Sequence, residues 1–262
     1  MLDCLGRDDT AIKSAALLAL LRLGVVEALS LGQRMAGTEI WPALGLGLAG
    51  GRSVTQVLKE MARSRGATPD CLLALGLVGD LSAVGVWYDC LADAALAPSA
   101  AQALELITGA GLYESAFAPD DVAEDELFEE ELIAWKEQGK APTHPDGRLL
   151  GVTVMQLTQS QEQWRGWLSA HSKDSDSNRR YRSGKPSSPA VVLENLLDNR
   201  APHRLRQLAA EELAIRYGCD VPFEADMPVA RQLRALREIE HWIASNGGRF
   251  QSGLWYFAGQ PC

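Results

Sequence analysis

The chain has 262 residues, of which 47% are hydrophobic, and a formal net charge of −9. That is enough apolar material for one elongated core or two smaller ones, and the acidic balance argues against direct nucleic-acid binding, which needs concentrated positive charge to meet phosphate. No uncharged stretch is long enough to cross a bilayer, because Lys13 and Arg22 bracket the first apolar run and Glu39 and Arg52 the second. The opening residues, with Asp3, Asp8 and Asp9, do not resemble a secretory signal, so a cytoplasmic protein with no membrane contact is expected.

In chain order, the first feature is a recurring phrase: an alanine- and leucine-rich run closing on glycine, then a second amphipathic run. Copies lie at Ser14 to Gly24, Ala43 to Gly51, Cys71 to Gly79 and Ala101 to Gly109, and the closing glycines Gly24, Gly50, Gly79 and Gly109 are spaced by 26, 29 and 30 residues. That period is the length of two short helices with their turns and predicts an array of helix pairs, each burying its apolar faces against its neighbours. In the third copy Cys71 to Val78 is apolar all round, as a sandwiched helix should be. Gly79 suits the left-handed position beyond the helix, and Asp80 is placed to cap the next helix. Ser53 with Gln56 resembles a capping box before Val54, Val57, Leu58 and Met61, and Pro98 fits the first turn of the fourth helix.

After residue 111 the character changes. Residues 112–146 carry 11 acidic side chains against 2 basic ones, an excess equal to the net charge of the whole chain. Asp120, Asp121, Glu124, Asp125, Glu126, Glu129, Glu130 and Glu131 form its core. Such a density of like charge is costly to bury, so it belongs either on a solvated linker or on a surface that meets a basic partner. Gly139, Pro142, Pro145 and Gly147 mark a loop, and Leu149 to Leu157 reads as a short strand or the start of an apolar helix. Gln161 to Ala170 predicts a helix bearing Trp164 and Trp167, and His171 to Pro189 a polar loop ending at the helix-start pair Ser188 and Pro189. Val191 to Leu197, Arg204 to Tyr217 and Val229 to Ser245 read as helices, the second resembling one more repeat unit closing on Gly218. The tail Leu254 to Phe257 is aromatic enough to dock. Two basic groups, Arg179, Arg180, Arg182 and Lys185, then Arg231, Arg234 and Arg237, are expected on solvated faces with local ion pairs. The expected organisation is therefore all-α: repeats over 1–111, an irregular acidic insertion over 112–187 with a possible short strand, and a helical end over 188–262.

Catalytic chemistry is hard to find. His144, His171, His203 and His241 are scattered and match no metal-ligand spacing. There is no nucleophile elbow, P-loop or dinucleotide fingerprint, and the acidic cluster lacks the alternation and central glycine of a calcium loop. The five cysteines are odd in number, with no paired C-x-x-C spacing. The expectation is a protein that is not an enzyme and needs neither cofactor nor metal.

Leu73-Ala74-Leu75-Gly76-Leu77-Val78-Gly79-Asp80 and Ala103-Leu104-Glu105-Leu106-Ile107-Thr108-Gly109 resemble HEAT-type repeats of the short bacterial sort. Together with Phe117-Ala118-Pro119-Asp120-Asp121, Trp135, Arg180-Tyr181-Arg182-Ser183-Gly184-Lys185-Pro186 and Ala209-Ala210-Glu211-Glu212-Leu213-Ala214, they make residues 14–240 similar to a proteobacterial family of HEAT-repeat-like proteins. Genes of that family often lie beside those for type VI secretion spikes and toxins. The resemblance implies a HEAT-like α-solenoid and that gene neighbourhood; with the charge pattern, the expectation is a protein that binds and neutralises a type VI secretion toxin, such as a basic nuclease, with the acidic residues as its partner-binding set. An adaptor that loads an effector onto the spike, and an enzyme with an unrecognised site, are the other readings. The family is commonly longer at its amino terminus, which implies that Leu17, Leu20 and Leu21 are covered here by another chain or by the carboxy-terminal end.

Overall fold

The computed structural model describes residues 5, 8–120, 127–138, 143, 147–148, 150–171, 176–198 and 200–262. It is mostly helical, and its only strands among those residues form three two-stranded ribbons. Contacts divide it into two units: residues 1–111 with 159–262, and residues 112–158. The insertion thus starts where the charge changes but ends at 158, not 187, because residues 159–187 pack with the helical unit.

The larger unit opens with α1 (Thr10–Arg22), α2 (Val26–Met35), α3 (Ala43–Ala49), α4 (Ser53–Arg65), α5 (Pro69–Val78), α6 (Val84–Cys90) and α7 (Ala97–Thr108). Local chemistry sets these boundaries. Asp9 accepts from the Ala11 and Ile12 amides at the head of α1, Thr68 accepts from Cys71 N and Pro69 opens α5, and α5 and α7 end on Gly79 and Gly109 at φ +77° and +59°. Asp80 accepts from Ser82 N. The capping box expected at Ser53 does not form; Ser53 is already the first helical residue and Arg52 precedes it without a side-chain cap.

Helix α1 packs on α3, α3 on α5 and α5 on α7, while α2, α4 and α6 lie against this row. Small residues let the row close up. A Cβ at Gly47 of α3 would stand 2.7 Å from the Ala74 backbone of α5, and one at Gly76 would meet Ala103 of α7 at 3.3 Å. The glycines inside the apolar runs are therefore contact points between helices, and Leu46, Leu48, Leu72, Leu75, Leu77 and Leu104 fill the space around them. Trp87 of α6 is fully buried, and its Nε1 donates to Leu72 O at 3.0 Å.

The chain returns to this unit with α9 (Gln161–His171), then β3 (Tyr181–Arg182) and β4 (Lys185–Pro186), α10 (Pro189–Leu197), α11 (His203–Glu212), a π-helical turn over Leu213–Tyr217, α12 (Val229–Asn246), and β5 (Tyr256–Phe257) with β6 (Gln260–Pro261). Ser188 caps α10 and Pro189 occupies its first turn, as the sequence predicts. The five residues of the π turn are all buried. Leu17, Leu20 and Leu21 share a core with Leu208, Ile215 and Phe257, so the carboxy-terminal end covers the first helix. A second core joins Val192, Leu196, Leu213, Tyr217, Phe223, Ile239, Phe250 and Tyr256.

The two small hairpins are near copies. Each reads Tyr-x-x-Gly-x-Pro, each turns through two residues of positive φ (Ser183 and Gly184, Ala258 and Gly259), and each tyrosine hydroxyl accepts from the backbone amide five residues earlier. Each also caps a helix. Ser183 N and Gly184 N donate to Leu106 O and Ile107 O at the end of α7, and Ala258 N and Gly259 N donate to Ile215 O and Arg216 O just before Gly218, all at 2.9 Å. The last carbonyls of a helix have no internal donor, so a turn that presents two amides satisfies two of them at once.

Candidate interaction surface

The smaller unit contains β1 (Tyr113–Pro119), α8 (Glu129–Gln138) and β2 (Gly151–Leu157). The run that the sequence leaves open between strand and helix is strand β2. It pairs antiparallel with β1, Tyr113 opposite Leu157 and Phe117 opposite Thr153. Thr158 N donates to Leu112 O at 2.8 Å and Asp120 N to Leu150 O at 3.1 Å. Those bonds fix the ladder: even-numbered residues turn their backbone groups toward the partner strand and odd-numbered residues turn theirs outward. One face carries Ser115, Phe117, Thr153 and Met155, the other Ala116, Ala118, Val152 and Val154.

The predicted partner-binding residues fall here. Asp120 is exposed one residue beyond β1. Glu129 and Glu130 are exposed and Glu131 is half-buried in the first turn of α8, where carboxylates oppose the positive end of the helix, and Glu131 Oε2 accepts from Phe128 N at 3.0 Å. Asp121, Glu124, Asp125 and Glu126 lie outside the described residues.

What composition did not reveal is how many apolar side chains this unit exposes. Phe117, Phe128, Ile133, Trp135, Val152, Val154 and Met155 are exposed, with Phe128 at 80%, Met155 at 64% and Val152 at 59%. They are seven of the thirteen large hydrophobic side chains exposed among the described residues, in a unit of fewer than a fifth of the residues. Exposed large apolar side chains concentrated in one small unit are a feature of interaction surfaces. The available signal was the uncharged run from Gly151 to Leu157 following so acidic a segment.

The other constellations have structural roles. Arg180 and Arg182, expected on a solvated face, are completely buried with Glu212 and Arg216. The reason is the carbonyl ends of the helices. Arg180 donates to Leu77 O at 2.8 Å, Val78 O at 3.1 Å, Ser187 Oγ at 2.7 Å, Tyr217 Oη at 3.2 Å and Glu212. Arg216 donates to Gly47 O at 2.8 Å, Gly50 O at 3.1 Å and Tyr256 O at 3.0 Å, and Arg182 pairs with Glu212 at 2.8 Å. Guanidinium groups thus serve as caps for α3 and α5. Burial by itself would raise the Glu212 carboxyl, but Arg180, Arg182 and Arg216 outweigh it and hold Glu212 below the usual glutamate range. Arg182 Nε and Nη1 and Arg216 Nε have no hydrogen-bond partner among the described residues.

Arg231, Arg234 and Arg237 do lie exposed on α12, as expected. His171 stacks on Trp167, with centroids 4.2 Å apart, and His203 and His241 are exposed; His144 is outside the described residues. Burial pushes the Cys71 thiol up to about 12 and also raises Cys90, Cys219 and Cys262, which keeps these sulfurs protonated near neutrality. No group of three or more potential metal ligands occurs among the described residues, and no helix among them is long and apolar enough to cross a membrane. No family model matches the chain, and no curated protein or solved structure matches it.

Proposed function

We propose that this chain is a non-catalytic, cytoplasmic α-solenoid of HEAT type that holds a basic protein partner through residues 112–158. The observation that supports the reading is that this unit combines a concentration of exposed apolar side chains with the acidic first turn of α8. The apolar residues supply most of the affinity on desolvation, and the carboxylates supply orientation and fast association. The α1, α3, α5, α7 row and its flanking helices support the HEAT-type reading, since each inner helix packs on the next one of the row. On the family resemblance, the partner is a type VI secretion toxin and the role is immunity.

Co-expression with each toxin encoded beside its gene tests this role. Survival together with a stable complex is the expected result. A complex without survival identifies an adaptor, and the absence of both contradicts the binding reading. Reversing Glu129, Glu130 and Glu131 to lysine is expected to weaken the complex by about tenfold or more at low salt, chiefly through slower association, with the difference narrowing as ionic strength rises. Unchanged affinity at low salt would refute the acidic contribution.

A further inference from the structure

The two edges of the β1–β2 ribbon differ in a way that singles out one of them. On β1 the outward backbone positions are Tyr113, Ser115, Phe117 and Pro119, and the proline offers no N–H. On β2 they are Gly151, Thr153, Met155 and Leu157, each with both a donor and an acceptor. No strand among the described residues pairs with this edge. Natural edge strands are protected by charged side chains, by proline or by brevity. β2 has seven residues with neither charge nor proline, and four in succession, Val152 to Met155, are exposed. A ribbon of only two strands is also marginal by itself, so a third strand would stabilise it.

We infer that the outer edge of β2 is a docking site for an extended, basic segment of the partner protein, which adds as a third strand opposite Gly151, Thr153, Met155 and Leu157. This rests on the binding function proposed above and specifies its mode. The charge selects the occupant: residues 112–158 carry 11 acidic and 3 basic side chains, so a cationic strand is attracted and a second copy of this unit is repelled. Main-chain hydrogen bonds to β2 provide the attachment. Alternate side chains of the added strand lie against Phe117 and Met155 on one face or Val152 and Val154 on the other, and give the selectivity.

The test uses the full chain and a nine-residue peptide alternating arginine with valine, in three forms: unmodified, N-methylated so that both of its edges are blocked, and with glutamate in place of arginine. The expected result is saturable binding of the unmodified form alone, with slower amide exchange at Thr153 and Met155 when it is bound. Thr153→Pro removes an outward N–H that the β1–β2 ladder does not use, and is expected to weaken the peptide at least tenfold while Thr153→Ser does not. Equal binding of the N-methylated form, or full affinity of Thr153→Pro, overturns strand addition; if Glu129, Glu130 and Glu131 reversal still weakens the toxin complex, the binding function stands without it. Absence of binding by the unmodified peptide also overturns the inference. So does a dimer of the free protein whose Thr153 and Met155 amides are already protected, because a second copy then occupies the edge.

Discussion

Glu212 is the single negative charge among three buried guanidinium groups, and the fold around it depends on that asymmetry. Replacing it with glutamine leaves Arg180 and Arg182 without their carboxylate in a site water does not reach, and is expected to cost about 3–5 kcal/mol. Arg182→Met should cost distinctly less, because Glu212 keeps Arg180 and the lost guanidinium already has two nitrogens without partners. Urea unfolding of the two variants checks the order; a larger loss for Arg182→Met would contradict it. The same residue sets an acid limb. Its folded pKa lies below its unfolded one, so its contribution is fully present above the ordinary glutamate value of 4.5 and is lost as pH falls through the depressed folded value. Stability measured from pH 7 downward should therefore fall more steeply for the wild type than for Glu212→Gln. Parallel curves would contradict the assignment. None of this was legible in the sequence, where Arg179, Arg180, Arg182 and Lys185 look like one exposed basic cluster. Only the fold shows that alternate members meet carbonyl ends and a distant glutamate.

Among the helices, the glycines make the packing testable. Gly47→Ala would drive a Cβ into the Ala74 backbone at 2.7 Å, and since backbone cannot yield as a side chain can, a loss of about 1–3 kcal/mol is expected. Gly76→Ala, at 3.3 Å from Ala103, should cost less. Gly85→Ala in α6 meets nothing within 4 Å and should stabilise by about 0.5–1 kcal/mol through helix propensity alone. Thermal unfolding of the three gives their order, and an equal response would mean that helix spacing is not set by these contacts. At this scale the sequence was informative. Gly24, Gly79, Gly109 and Gly218 mark helix ends because a left-handed residue there is a local requirement. The twin hairpins are not legible in the sequence because their shared residues are few and their role, capping helices far away along the chain, leaves no local periodicity. Strand β2 was ambiguous for a related reason: a short apolar run has the same composition in either state, and only pairing with β1 decides.

For the whole molecule, the division at residues 111 and 159 separates a helical body from the unit proposed to bind. Leu112 and Thr158 are joined by a backbone hydrogen bond, so the chain can be closed across that gap by a short glycine-serine linker. The shortened protein should keep a cooperative thermal transition, because the core that joins the row of helices to the carboxy-terminal end and the core within that end both lie outside residues 112–158. The most direct measurement is co-expression of the wild type and of this shortened protein with the toxin proposed as its partner, scoring survival and co-purification together. The wild type should protect the cell and retain the toxin, while the shortened protein, though folded, should do neither. Protection by the shortened protein equal to that of the wild type would contradict the claim that residues 112–158 hold the partner.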